Sequence, residues 1–245
     1  MRFLGLLAVI TTGALLIYAV TDLPDWGDPD SPSNASPVAD HYITKTEKLT
    51  KVPNLVTAVL ADYRSYDTLF ETVVIFTAGI AIIGILRGLP TNPRATDEEM
   101  HDPIIQITCR ILTPIIQLFA LYVLAHGHHS PGGGFQGGVI FGASFIMLAL
   151  AYDLRYALGR FSEGKFIVTA ALGILFYAAF GLVAQFEGGN FLDYTMLDPY
   201  LPGDAIKARY HSMLGVEIGV FLTVAAIMFA IYANLASRGS FEKGL

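Results

Sequence analysis

Apolar and polar positions fall into long blocks in this chain, not into the short alternation of strands or the narrow stripe of a soluble helix. Six apolar blocks, at about 3–20, 69–86, 104–125, 137–152, 166–185 and 213–235, are each long enough to cross a bilayer as a helix. The pattern therefore predicts an all-α, polytopic membrane protein with about six transmembrane helices. The fourth block is the shortest, so its helix is expected to reach back into the glycine-rich stretch before it.

The polar stretches set the organisation. Between the first two blocks, PDWGDPDSPSNASP is rich in Pro, Ser and Asp and predicts a loop. The following VPNLVTAVLADYRSYDTLFE is apolar enough to lie along a membrane surface or dock on a neighbour. GLPTNPRATDEEMHDP then reads as a linker, which divides the chain into a two-helix module at 1–87, a linker at 88–102 and a four-helix module at 103–245. The halves share no visible repeat. The first block also resembles a signal peptide with Arg2 as its charged start, but TDLPDWGD after Val20 lacks a small-residue cleavage site, so a retained span is expected.

Composition agrees with the pattern. The 245 residues are 53% hydrophobic and 15% charged, with mean hydropathy +0.54, whereas a soluble domain carries about 25% charged residues. Cys109 is the single cysteine, so an internal disulfide is excluded and the thiol reads as small apolar filler. Arg2, Arg87, Arg94, Arg155, Arg160, Lys165, Arg238 and Lys243 fall on one side of the six-span arrangement. Lys45, Lys48, Lys51, Arg64, Lys207 and Arg209 share the other side with many Asp residues. This bias predicts a multi-pass protein of the cell membrane with both termini cytoplasmic. No basic, aromatic-rich patch for nucleic acid, no four-cysteine set and no histidine pair deep in facing spans is present. Nor do six spans without an inverted repeat suggest a complete alternating-access transporter. Neither an enzyme nor a transporter acting alone is expected.

One polar stretch stands out, AHGHHSPGGGFQGG at 125–138. Gly132, Gly134 and Gly137 satisfy G-x-G-x-x-G, but an apolar block precedes them where a dinucleotide fold needs a strand, and no Lys-Ser or Lys-Thr closes the loop. His126, His128 and His129 lack a nearby Cys or acid to complete a metal site, so no metal is expected. They read as interfacial side chains or, with His211, as members of a proton relay. The remaining reading is a tight reversal. Pro131 ends the third span's exit, Gly132, Gly133 and Gly134 permit unusual backbone angles, and Gly138 and Gly142 make a G-x-x-x-G face for close helix packing.

Charged groups inside spans cost roughly 2.5–3.5 kcal/mol each and so mark candidate function. Asp67 and Glu71 are spaced i, i+4 and share a helical face, with Arg64 one turn earlier to pair Asp67. Such carboxylates bind a cation through oxygen or exchange a proton; a helix-end ion pair is the plainer alternative. Glu217 lies in the sixth block between Gly215 and Gly219, projecting from the face opposite those glycines, toward a partner or a polar cavity. Gln106, Arg110, Thr113 and Gln117 form a polar stripe on the third span beside Pro114, suited to a hydrated path or to helix–helix contact.

GHHSPGGGFQGG with the small-residue helix after it, and HSMLGVEIGV at 211–220, resemble the B-type component of Mrp-type cation/proton antiporters over residues 101–240. PNLVTAVLADYRSYDTLFETVVIFTAG resembles the small E-type subunit of membrane-bound hydrogenases, equivalent to the C-terminal end of the large A-type Mrp component. Phe70 stands here where that pattern has glycine. The resemblance implies a natural fusion of an E-type with a B-type module. It further implies a non-catalytic subunit of a Na⁺/H⁺ antiporter, with Asp67 and Glu71 on the ion path. No cofactor is implied beyond transported Na⁺ or H⁺. The implied partners are large antiporter-like subunits and small C-, F- and G-type subunits in a lipid bilayer. Two alternatives stay open: a subunit of the antiporter-like module in a redox-driven hydrogenase or respiratory complex, and a membrane scaffold that touches no ion.

Overall fold

The structure, a computed structural model, describes residues 2–88, 102–237 and 239. The linker therefore lies, apart from its two ends, outside the described residues, as do Arg94, Arg238 and Lys243. Two compact units divide the chain, residues 1–45 and 46–245.

The first unit holds α1 (Arg2–Val20), the loop that follows it, and the start of α2 (Pro37–Thr50). The loop is built from turns, as its Pro, Ser and Asp content predicts: Asp28 Oδ1 accepts from the Asp30 N–H at 2.9 Å, and Asn34 Nδ2 donates to the Asp28 carbonyl at 3.0 Å. Ser36 and Pro37 then start α2, the Ser36 hydroxyl accepting from the Val38 N–H at 3.2 Å.

Among the described residues, the second unit carries five of the six helices that are long and apolar enough to cross a membrane. A short helix α3 (Leu55–Ala58) runs into a π-helical turn (Val59–Tyr63) and then into α4 (Ser65–Gly88). The other elements are α5 (Pro103–His126), α6 (Gly134–Ala151), α7 (Leu154–Arg160), α8 (Glu163–Phe186), a 3₁₀ turn (Tyr194–Leu197) and α9 (Ala205–Ala236). Local chemistry sets their starts. Asp102 caps α5 by accepting from the Ile104 N–H at 2.8 Å, ahead of Pro103, and Asp204 caps α9 by accepting from the Lys207 N–H at 2.9 Å. The chain is an all-α, multi-pass membrane protein.

Helices α4, α6 and α9 begin before their apolar blocks, α9 at Ala205. α4 begins at Ser65, so Asp67 lies in its first turn and Glu71 well inside it. α6 begins at Gly134, within the glycine stretch. VPNLVTAVLADYRSYDTLFE docks within its own unit: Val52, Ala58, Ala61 and Leu69 join a buried cluster with Tyr177, Val216 and Val220.

α9 is the centre of this unit, with 72% of its apolar window buried, and α4, α6 and α8 pack around it. Small residues allow the close approach. Methyl groups on Gly138 and Gly142 would stand 2.9 Å from the Phe221 carbonyl and 2.8 Å from the Ala225 carbonyl. A methyl on Gly134 would run into the Glu217 carbonyl. Gly134, Gly138 and Gly142 thus form a ladder that seats α6 on α9 at intervals of four residues, the small-residue packing typical of membrane helices. On the opposite side Gly173 and Gly219 let α8 meet α9, and the Thr223 hydroxyl donates to the Ala170 carbonyl at 2.9 Å.

Polar clamps close both ends of the bundle. At one, Arg87 of α4 pairs with Glu163 at the start of α8 and donates to Asn234 Oδ1 of α9 at 3.3 Å. At the other, Arg209 of α9 pairs with Asp62 of the π-helical turn, reaches the Leu49 carbonyl at 3.5 Å and lies over the Tyr63 ring. Asp62 is buried, and that burial raises its carboxyl above the usual range while Arg209 opposes the shift. Breaking one half of such a buried pair costs about 3–5 kcal/mol, more than replacing both halves with apolar groups. Arg209→Met is therefore expected to lower the thermal midpoint of the solubilised protein sharply, and Asp62→Leu added to it to recover part of the loss; equal midpoints for wild type and Arg209→Met would refute a structural role for the pair.

Candidate functional site

The glycine stretch wraps a carboxylate. Glu217 points from α9 toward the reversal between α5 and α6, where Gly127, Gly133 and Gly134 present backbone with no side chains in the way. A methyl on Gly133 would lie 3.0 Å from Glu217 Oε1, and one on Gly127 would lie 3.1 Å from Oε2. Gly133 has φ +126°, a conformation that favours glycine. The carboxylate's Oε2 is buried without a hydrogen-bond partner among the described residues. Gly215 and Gly219 face α8 at Phe180 and Gly173, so Glu217 does project from the opposite side of α9.

Glu217 and Glu71 line one cavity of ≈ 240 Å³ between the α3–α4 segment, the start of α6 and α9. Thr57, Thr68, Thr72 and Gln136 add polar groups to its wall, and Leu60, Ala61, Val216 and Val220 add apolar ones. Asp67 is not brought there. Its carboxylate takes Arg64 Nε at 2.6 Å, and both side chains are more than half exposed. The two acids of the i, i+4 pair are both exposed, but Asp67 is paired with Arg64 while Glu71 borders the cavity.

The histidines gather around one tyrosine. His128 is buried, lies edge-on to the Tyr210 ring at 4.5 Å, and has Nε2 without a partner among the described residues. His129 Nε2 is 3.3 Å from the Tyr210 hydroxyl, His211 packs on the same ring, and His126 stacks between Tyr122 and His129. Burial pushes the His128 imidazole down to about 4, with His129 and His211 adding repulsion. Among the described residues no three His, Cys, Asp or Glu side chains converge to hold a metal ion.

One side chain of the α5 polar stripe, Gln117, bonds across to α6. Gln117 Nε2 donates to Ser144 Oγ at 3.0 Å, and the Gln106 carbonyl accepts from the Tyr152 hydroxyl at 3.0 Å. Thr113 is buried and donates to the Cys109 carbonyl at 2.7 Å, while Arg110 is exposed.

Sequence reasoning passed over the residues that fasten the loop. Asn54 caps α3 with its Oδ1, and its Nδ2 donates to the carbonyls of Gly127 and Ser130, both at 2.8 Å. Its backbone N–H donates to the His128 carbonyl at 3.0 Å, and Thr57 Oγ1 donates to the Gly127 carbonyl at 2.8 Å. The sequence signal was Pro-Asn before an apolar run, a helix start; that the cap also holds a loop more than 70 residues away is tertiary information.

Gly134→Ala is expected to destabilise the protein by about 1–3 kcal/mol through overpacking against α9, read as a lower thermal midpoint; an unchanged midpoint would show that the approach of α6 to α9 is not tight. A second expectation concerns pH. Because the fold holds His128 neutral, its contribution is full above the ordinary value of 6.5 and is lost as pH falls toward about 4. The midpoint of the wild type should therefore fall across that window more steeply than that of His128→Gln; parallel curves would refute the assignment.

The chain matches the family model described as a domain related to the MnhB subunit of Na⁺/H⁺ antiporter over residues 104–230. It is 33% identical over 142 residues to the B-type component of a Na⁺/H⁺ antiporter of Bacillus subtilis (strain 168), covering 58% of this chain and 98% of that one. An uncharacterized protein of Methanocaldococcus jannaschii is 27% identical over 230 residues, 85% of this chain and 82% of its own. Among solved structures, the Mrp complex from Dietzia sp. DQ12-45-1b contains a chain with 28% identity and a TM-score of 0.66. The match covers 96% of this chain, which spans only 26% of that longer one. The membrane-bound sulfane sulfur reductase, an archaeal respiratory membrane complex, contains one with 26% identity and a TM-score of 0.66, covering 96% of this chain and 97% of that chain. The glycine reversal, the ladder on α9 and the carboxylate it encloses all lie within the matched segment, and the chain belongs to the MnhB family.

Proposed function

We propose that this chain is a non-catalytic membrane subunit of a multi-subunit Na⁺/H⁺ antiporter of the Mrp type, contributing to the ion path and to assembly. The observation that carries the reading is the cavity shared by Glu71 and Glu217. Two carboxylates, three threonine hydroxyls and a glutamine amide offer the oxygen donors that hard cations take. They do so in a largely apolar cavity between membrane helices, where ionisable groups are costly unless they serve an ion or proton. Asp67 and Arg64 stand at the outer edge, placed to exchange ions with the surroundings. The histidine group and the α5 stripe are secondary positions, the former a proton relay and the latter chiefly helix contact.

The names of the Bacillus subtilis antiporter relative and of the Mrp complex support this reading. Large antiporter-like subunits and small C-, F- and G-type subunits are the partners, Na⁺ or H⁺ is the cargo, and no cofactor is required. Residues 1–87 serve as the E-type module and residues 103–245 as the B-type module, joined by the linker, with both termini cytoplasmic. A second reading places the same ion path in a redox-driven complex. The likeness to a chain of the sulfane sulfur reductase over nearly its full length favours it. Affinity purification through a tag on this chain separates the two: antiporter-like membrane subunits alone support the first, soluble iron–sulfur subunits the second, and recovery of the chain alone overturns both.

In the reconstituted complex, Glu217→Gln and Glu71→Gln are each expected to lower Na⁺-dependent proton release at least tenfold while assembly on native gels persists. Asp67→Asn added to Glu71→Gln should abolish it, with Glu71 carrying most of the loss. Transport at wild-type rates in the assembled double variant would leave only the scaffold reading.

A further inference from the structure

A second cavity, of ≈ 440 Å³, lies along the outer face of α8 and shares no residue with the cavity of Glu71 and Glu217. Ala179, Val183 and Phe186 form its floor, spaced i, i+4 and i+7 on one side of the helix. Tyr177, Gly181 and Ala184 on the other side are buried, so the floor is turned away from the bundle. Leu197 and Leu201 form the facing wall. The chain after α8 folds back through the 3₁₀ turn to place them, the Leu197 carbonyl accepting from the Tyr200 and Leu201 N–H groups at 3.0 and 3.1 Å. Glu187 and Tyr200 complete the lining, and the Tyr200 hydroxyl donates to Glu187 Oε1 at 2.5 Å.

The groove joins two depths of the bilayer. α8 is long and apolar enough to cross a membrane, and the groove follows its last two turns to Glu187, just past its end. Its apolar floor therefore meets hydrocarbon, and its carboxylate lies toward the headgroups. Volume limits the occupant. Small-molecule sites measure about 300–1,000 Å³, whereas two turns of a helix about 10 Å across take roughly 800 Å³. A flexible hydrocarbon chain fits this space, and a partner's helix does not. Charge selects the headgroup. Glu187 takes a neutral phenol, and among the described residues no cation pairs with it. The segment 187–204 carries Glu187, Asp193, Asp198 and Asp204 but no Lys or Arg, so it repels an anionic headgroup. A primary ammonium brings a positive charge and three N–H donors to a carboxylate that only accepts.

We propose that this groove is a phospholipid site, in which one hydrocarbon chain lies over Ala179 and Val183 and a primary-ammonium headgroup, as in phosphatidylethanolamine, donates to Glu187. The site is separate from the ion cavity, and the proposal does not rest on the antiporter reading. Tyr200 positions the carboxylate at the mouth, so the headgroup meets an acceptor that is already oriented. Phe186, 86% exposed in the chain itself, gains an apolar neighbour when the lipid is seated.

The test uses the complex purified through a tag on this chain and reconstituted into vesicles with a trace of photoactivatable phosphatidylethanolamine or phosphatidylcholine. The two probes carry the same diazirine-labelled chain, and the sites of attachment are mapped by peptide mass spectrometry. In the wild type, phosphatidylethanolamine is expected to label residues of the groove about tenfold more than phosphatidylcholine, the discrimination that one charge-assisted hydrogen bond supplies. Glu187→Gln should bring phosphatidylethanolamine down to the phosphatidylcholine level, and Glu187→Asp should keep part of the preference. Val183→Trp, which fills the groove, should remove labelling by either probe. Equal labelling by the two probes in the wild type overturns the headgroup assignment, and labelling unchanged by Val183→Trp overturns the groove. Should Val183→Trp fail to assemble, a preference that survives Glu187→Gln overturns the proposal instead. A photoactivatable residue placed at 183 that attaches to another subunit, and not to lipid, shows a protein occupant and overturns it as well.

Discussion

The rest of the second unit depends on how closely two helix backbones approach each other. Gly134, Gly138 and Gly142 of α6 rest on the carbonyls of Glu217, Phe221 and Ala225 of α9, with no room for a methyl group. In a bilayer, helices gain little from hiding apolar surface from one another, so association relies on close van der Waals contact. The same approach has a chemical result. The uppermost step of the ladder places Gly134, the first residue of α6, and the left-handed Gly133 around Glu217, so a carboxylate is enclosed by backbone instead of by competing side chains.

A carboxylate so enclosed needs one open side, and the segment before α4 forms it. Asn54 and Thr57 tie this segment to the α5–α6 reversal, and Asp62 ties it to Arg209 of α9. Between these fastenings the π-helical turn lets Leu60 and Ala61 line the cavity and hands the chain to α4, where Glu71, an exposed residue, lies at the cavity wall. Single-turn π distortions are commonly found at functional sites, because an extra residue in a helix re-aims the side chains after it. The cavity therefore draws its two acids from α4 and α9, and neither helix builds it alone.

Polar groups elsewhere in the bundle join its elements. Gln117 with Ser144, and Thr223 with the Ala170 carbonyl, join adjacent helices where a lone polar group would be costly. Ser65 at the start of α4 does the same with the hydroxyls of Tyr177 on α8 and Tyr194 in the 3₁₀ turn.

The sequence alone determined the membrane class, the six spans and the place of the reversal, because bilayer thickness and backbone hydrogen bonding leave an apolar block few structures other than a helix. It also carried the direction of Glu217, since helical periodicity puts residue 217 opposite Gly215 and Gly219. Spacing put Asp67 and Glu71 on one face and Arg64 within reach of Asp67, but it could not say that Glu71 alone of the two would border a cavity with Glu217. Nor were Asn54, Asp62, Ser65, Tyr177 and Tyr194 legible as fastenings, for each is unremarkable beside its own chain neighbours. Their roles arise from contacts across 70 or more residues, which only the packing of α4, α6, α8 and α9 brings within hydrogen-bond range.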